Sequence, residues 1–322
     1  MQPVHLWDDI PVPIQGINRR LAATNMIAPA SWAVDEQGRL LFVLELSGDH
    51  RNTYKQNVVQ VHGLDVDLRL ADEGGQLLVL SLNGEHHRDL FQVLCSSLLA
   101  ELIDATSAAS ALQITLNHLK RWKIFLSGKK ARILSLEEVR GLFAELWFLR
   151  ELLHSKMGAN VAVGSWYGPE RIQQDFIFND SAVEVKSLVA SDPRTVRISS
   201  ENQLDSVHSA LYLLIVRLSA SQADGCQSLN EIVVKIKSLV GDSDAAITFE
   251  KKLAEFGYLP LIEYDQPKFE VLGTQSYKVG EGFPRITRVD LASGVIQVRY
   301  QIQLEHLQPF RCDYDTMLRS TS

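Results

Sequence analysis

QDFIFNDSAVEVKS, residues 174–187, frames a polar turn at Asn179-Asp180-Ser181 with two apolar strands, yet places Asp175, Glu184 and Lys186 inside them. Side chains alternate between the faces of a strand, so Glu184 and Lys186 share one face and Val183 and Val185 the other. On the first strand Phe176 and Phe178 form the apolar face, which leaves Asp175 on the opposite side. A two-residue turn pairs residues of matching parity and sets Asp175 across from Glu184 or Lys186, on their face. A one-residue bulge would reverse that arrangement. With the simple turn, two carboxylates and an ammonium converge on one patch of a half-buried sheet.

Carboxylates that close repel unless a cation lies between them, and hard oxygen ligands suit Mg²⁺ or Mn²⁺. Mg²⁺ takes one or two protein carboxylates and keeps its other positions for waters and substrate phosphate. A lysine beside it can orient or help deprotonate a metal-bound water and offset charge as a phosphorane develops. The chemistry this pattern predicts is hydrolysis of a phosphodiester. The competing explanation is structural: an E-x-K on a strand is commonly a solvated face that makes a cross-strand ion pair.

Working outward, residues 31–82 alternate apolar and polar in the runs LLFVLEL, VVQVHGLDVDL and GGQLLVLSL, the pattern of an antiparallel sheet. Leu90, Leu94, Leu98 and Leu102 then recur at helical spacing within 87–105. SLEEVRGLFAELWFLREL opens a second helix, with Ser135 and Glu138 spaced as a capping box. Beyond the hairpin the pattern predicts a strand at 195–199, a short helix near 201–208, a strand at 210–218 and helices at 228–240 and 243–256. In the tail, Ile296, Val298, Tyr300, Ile302 and Leu304 alternate as in a strand. The 322 residues are enough for a sizeable core in two parts.

The net charge of −7 argues mildly against a general nucleic-acid binder, so any polyanion site must be a local patch. One candidate patch exists: no acidic residue occurs between Asp104 and Glu137, whereas Lys120, Arg121, Lys123, Lys129, Lys130 and Arg132 do. Trp122 and Phe125 are interleaved with these cations and could stack on bases or belong to the core. Cys95, Cys226 and Cys312 are odd in number and form no CxxC pair, which points to a reducing cytoplasm and away from a disulfide frame or structural zinc. No apolar run reaches membrane length and the first residues lack the apolar stretch of a signal peptide. Histidines in no H-x-x-H or H-E-x-x-H pattern make a zinc hydrolase improbable. The chain also has no Walker A string, no G-x-G-x-x-G and no nucleophile elbow.

An Asp on one strand followed by D/E-x-K on the next resembles the PD-(D/E)xK nuclease superfamily, with Asp175 and Glu184-Val185-Lys186 filling the pattern and Gln174 replacing the proline. GLFAEL, SWYGP, DF, EVKS, ISSENQL and FPRI, in that order, resemble one subgroup, the DUF4420-type proteins of bacterial restriction and phage-defence neighbourhoods. The resemblance spans most of the chain and is weakest over the N-terminal sheet. It implies an α/β fold: a restriction-endonuclease-like core over 106–260, a central mixed sheet flanked by helices. A β-rich domain at 1–105 and a C-terminal β extension at 261–322 would complete it.

The resemblance further implies a Mg²⁺- or Mn²⁺-dependent DNA endonuclease leaving 5′-phosphate and 3′-hydroxyl ends. Asp175 and Glu184 would be metal ligands and Lys186 would position the water. Glu145 matches the acidic residue that such nucleases often carry on the helix before the hairpin, and would assist the metal. Gln203, after the third strand, is an auxiliary. Gly141, one turn before Glu145, costs the helix about 1 kcal/mol relative to Ala, which makes sense where backbone or DNA must approach closely. The expected partners are DNA and a defence-system ATPase or methyltransferase subunit, with a homodimer also compatible and no membrane involved. The alternative is a non-catalytic subunit that keeps the fold to bind nucleic acid or a partner protein.

Overall fold

The computed structural model describes residues 6–23, 26–61, 63–71, 74–83, 88–127, 133–155, 157–170, 173–189, 194–241 and 244–321, with backbone only at 125 and 127. The chain divides into two compact units, Met1–Ala131 and Arg132–Ser322.

The first unit carries an antiparallel sheet of β1 (Ile17–Ala23), β2 (Ala30–Asp35), β3 (Leu40–Leu46), β4 (Leu64–Leu70) and β5 (Gln76–Leu82), in the order β1-β2-β3-β5-β4. A short helix α1 (Arg51–Asn57) lies between β3 and β4 in sequence, and α2 (Arg88–Leu102) and α3 (Ala108–Ser127) follow the sheet. Ala33, Leu41, Val43, Leu77 and Val79 form a cluster on one face. Facing the other way, Trp32 packs edge-on against Trp7, and Trp7 stacks on Phe91 of α2. The Trp7 indole donates to the Leu41 carbonyl at 2.9 Å, so burying its ring leaves no polar atom unpaired. Helix α3 packs on α2 and β3. The unit therefore extends past the 105/106 boundary expected from the resemblance, because α3 packs with α2 and the sheet.

The second unit runs α4 (Leu136–His154), α5 (Ala159–Ser165), β6 (Phe176–Ile177), β7 (Ser181–Val189), β8 (Thr195–Ile198), β9 (Ala210–Ala220), α6 (Leu229–Val240), α7 (Asp244–Phe256), β10 (Phe269–Val279), β11 (Tyr300–Gln303), β12 (Arg311–Cys312) and α8 (Tyr314–Arg319). Ser135 and Glu138 close the capping box at the start of α4 as their spacing predicts. Five strands form one mixed sheet in the order β12-β10-β9-β7-β6, with β7 and β9 parallel and the other pairs antiparallel. Ladders buried on both faces need apolar strands, and Leu213, Leu214, Ile215 and Val216 of β9 are fully buried.

A parallel pair requires a crossover. Here, among the described residues, the chain between β7 and β9 supplies no helix. It contributes β8, which leaves the sheet to pair with β11 as a separate two-stranded ribbon. Ala182, Leu188, Leu211, Leu213, Ile215 and Tyr277 of the sheet pack with Val196, Ile198 and Ile302 of that ribbon. One sheet face is thus covered by strands, where helices were expected, while Phe148 of α4 packs edge-on against Phe176 at 4.9 Å.

Other expectations change too. Residues 201–208 form turns and not a helix. The strand expected over 295–304 shortens to β11, with Ile296 exposed and Gln297 at φ 57°. The segment after 261 is no separate extension, since β10 pairs with β9 along nearly its whole length. Among the described residues, no helix is long and apolar enough to cross a membrane.

Candidate active site

The hairpin forms with the simple register: Phe176 pairs with Val183 and Ile177 with Ala182, without a bulge between them. That register carries Asp175 to the level of Glu184. Strand β6 stops at Phe176, so the β7 amide of Val185 has lost its strand partner, and the Asp175 carboxylate accepts from it at 2.8 Å. The carboxylate thereby caps the sheet edge and is fixed beside the E-x-K pair. Glu184 is completely buried. Lys186 Nζ lies 2.6 Å from its Oε1, and the same ammonium donates to Gln203 Oε1 at 3.1 Å. Gln203 Oε1 also accepts from the Ser199 amide at 2.8 Å, which ties the end of β8 to the site.

Glu145 reaches this place from α4. Its carboxylate is buried and accepts from Trp166 Nε1 at 2.8 Å. Gly168 lies against it so closely that a Cβ there would come within 2.1 Å of Glu145 Oε2. The SWYGP segment that makes these contacts is itself anchored. Tyr167 and Gly168 amides donate to the Asp175 carbonyl at 2.7 and 3.0 Å. Buried Lys252 donates to the Trp166 carbonyl, pairs with Glu170 at 3.0 Å and sits over the Tyr167 ring.

Burial and mutual repulsion dominate the electrostatics. Desolvation raises the Glu184 carboxyl to about 8, with the Asp175 charge adding to the rise and Lys186 opposing it. Burial raises Asp175 against the pull of Lys186 and the Val185 amide. Glu145 is raised well above the carboxylate range, first by burial and then by the Asp175 charge. Burial would lower Lys186, but Glu184 and Asp175 outweigh it, so its ammonium is held more firmly than in water.

Glu184 Oε1 has the Lys186 ammonium at 2.6 Å as its partner, whereas Oε2, equally shielded from solvent, has no hydrogen-bond partner among the described residues. A buried carboxylate left so is costly unless a cation completes it. Two oxygen-bearing side chains beside an open cleft fit a hard divalent ion, which needs no more than that from a protein. Among the described residues no three His, Cys, Asp or Glu side chains are grouped so as to hold an ion, and Glu145 is turned to Trp166.

The cleft beside these groups has a volume of about 440 Å³. Glu145, Asp175, Lys186 and Gln203 all line it. The hairpin, the α4 carboxylate and the SENQL glutamine are therefore brought together. The basic stretch is not part of this set. Lys120, Arg121 and Lys123 lie on α3 in the first unit, where Arg121 pairs with Glu101. Trp122 is 1% exposed and belongs to that core, so it offers no stacking face. Lys129, Lys130 and Arg132 lie outside the described residues.

The supporting contacts of several residues around the site become visible only in the fold. Gln174, in the proline position of the motif, is buried and donates to the carbonyls of Asn202 and Asp205 at 3.0 and 2.8 Å, fixing the turn that carries Gln203. Arg285 of FPRI holds the same turn through the Leu204 carbonyl at 2.5 Å. Glu201 accepts from the Gln297 and Val298 amides at 3.3 and 2.9 Å, so it supports the wall and does not face the cleft. Trp166 and Gly168 stood in a quoted motif, but only the fold shows what they touch.

A family model described as "Putative PD-(D/E)XK family member, (DUF4420)" matches residues 5–305, and the chain belongs to that family. No curated protein and no solved structure matches the chain significantly.

Two outcomes follow from this geometry. Trp166→Phe leaves the buried Glu145 without its donor and should destabilise the second unit by about 1–3 kcal/mol, read by chemical denaturation; an unchanged midpoint would mean that the bond contributes nothing. The raised carboxyls bind protons in the folded state that they release on unfolding near their ordinary values. Without divalent ions, stability should therefore be greatest near pH 4.5 and fall as pH rises toward about 8. Melting temperatures across that range check the sign, and Glu184→Gln should flatten the decline.

Proposed function

We propose that this protein is a Mg²⁺- or Mn²⁺-dependent DNA endonuclease acting in a bacterial restriction or anti-phage system. The observation that carries this is the buried Glu184 carboxylate, whose one partner is the Lys186 ammonium, set beside Asp175 and Lys186 where these two line an open cleft. Membership of a family described as PD-(D/E)XK supports a nuclease-like activity. Asp175 and Glu184 would hold the ion, and Glu145, released from Trp166, would be the nearest third carboxylate. Such an ion supplies Lewis-acid polarisation of the phosphate and a more acidic water.

The chain's own residues do the rest. Asp175 is locked in place by the Val185 amide, so its carboxylate is oriented before substrate arrives. Lys186 is held as an ammonium by two carboxylates, which suits it to donate to the attacking water or to a phosphate oxygen and disqualifies it as a proton acceptor. Gln203 and Glu184 fix the ammonium by taking two of its three N–H bonds and leave one for substrate.

The second reading, a binding-only subunit, meets a physical objection. Keeping two buried like charges together raises their free energy, and a scaffold gains nothing from it. Plasmid nicking tests the choice. With Mg²⁺ the protein should convert supercoiled to open-circular plasmid, and Asp175→Ala and Lys186→Ala should each lower the rate at least about a hundredfold while the melting curve persists. Equal trace cleavage by parent and both variants would reject the enzyme and favour the scaffold.

A further inference from the structure

The rim of the same cleft holds a cation that the site itself does not use. Arg140 is one residue before Gly141 and five before Glu145 on α4, and all three line the cleft. Arg140 is half-buried and makes no hydrogen bond or ion pair among the described residues. A half-buried guanidinium without a partner gives up hydration and gains nothing within the described chain, which is the condition of a group awaiting an anion. Beside it, a Cβ on Gly141 would meet nothing within 4 Å, so this glycine is not required by packing inside the protein. It leaves the helix backbone open toward the cleft, at a known cost in helix propensity.

Across the cleft, β8 contributes Arg197. Its partner is Glu137, at 3.4 Å, and both side chains are largely exposed at 50% and 73%. Such a pair is weak and readily exchanged for a better anion. A phosphate is that anion, because a guanidinium can meet it with two parallel N–H bonds. Asp175 and Lys186 line the same cleft, so a phosphodiester gripped by Arg140 and Arg197 would lie alongside them.

We infer that Arg140, Gly141 and Arg197 form a backbone-phosphate cradle for the strand being cut, with Glu137 occupying Arg197 until nucleic acid displaces it. The inference deepens the nuclease reading and names the residues that position its DNA. The substrate class is a polyanionic phosphodiester chain, recognised here by its phosphates and not by its bases. Arg140 and Arg197 are binding residues; Gly141 acts by leaving space.

The test measures DNA binding without cleavage. A short fluorescent duplex is titrated by anisotropy in the Lys186→Ala background with Mg²⁺, at several salt concentrations. Arg140→Gln should weaken binding roughly tenfold and reduce the slope of log K against log salt by about 0.9, as expected for one lost phosphate contact. Arg197→Gln should act in the same direction. Glu137→Gln should tighten binding by up to about fivefold, because it frees Arg197. Gly141→Ala should raise the melting temperature yet weaken binding, a combination that a structural role for this glycine cannot give. Parent-like affinity and salt slope in both arginine variants would overturn the cradle, as would a parent that binds no duplex at all. Weakened binding by the variants in a protein that never cleaves would leave the cradle standing and sink the hydrolase.

Discussion

The structure turns on the placement of Glu184, fully buried, beside Asp175 at the wall of an open cleft. A carboxylate there, with only one ammonium for company, is held against the ordinary preference of charge for water. The fold accepts this by surrounding the site with strand and ribbon: Ala182 and Leu188 flank the pair on β7 and pack into the cluster shared with β8 and β11. Apolar residues of similar size at 184 and 186 would pack into the same cluster without desolvating charge, and substitutions of that kind are often neutral or stabilising. Packing alone therefore does not account for the charges.

Precision in the site comes from polar residues spent on backbone. Gln174, Arg285, Glu201 and Gln203 each satisfy carbonyls or amides of the 199–205 and 297–298 segments. These segments are irregular, and an irregular wall holds its shape only when its unpaired backbone groups find side-chain partners. Lys252 does the same for the 166–170 segment, which in turn sets Trp166 and Gly168 against Glu145. A residue that looks catalytic by type, such as Glu201, can thus be architectural, while the glutamine in the motif's proline position helps decide where Gln203 stands.

Much of this was legible before any coordinates. Period-two alternation fixed which side chains of 174–187 share a face, and the absence of a bulge made that reading hold for Asp175, Glu184 and Lys186. The α4 cap and its buried stripe were equally plain, because helix period and capping are local. Strand β10 was not. FEVLGTQSYKV mixes polar and apolar residues without a clean period, since β12 shields only Ser276 and Tyr277 on one edge and a register shift interrupts it at Val271 and Gly273. Its place beside β9 depends on contacts distant in sequence. The domain boundary failed for a related reason: α3 carries a basic composition that suggested a nucleic-acid face, but Leu112, Leu116, Leu119 and Trp122 bury its other side in the first unit.

The same distinction between local pattern and long-range packing explains why Glu145 was harder to judge than the hairpin. On a helix wheel it falls at the margin of the Leu142–Leu146–Leu149 stripe, where a surface glutamate and a site glutamate look alike. What separates them is Gly168. With any larger residue there, the carboxyl would be pushed off Trp166, so the pairing of a buried acid, an indole donor and a glycine constrains three positions at once. A surface glutamate imposes no such constraint on distant residues. Burial pushes the Glu145 carboxyl toward its protonated form, and the Trp166 indole, by donating to it, opposes that push. Trp166 thus spares the acid from lying unpaired in the core.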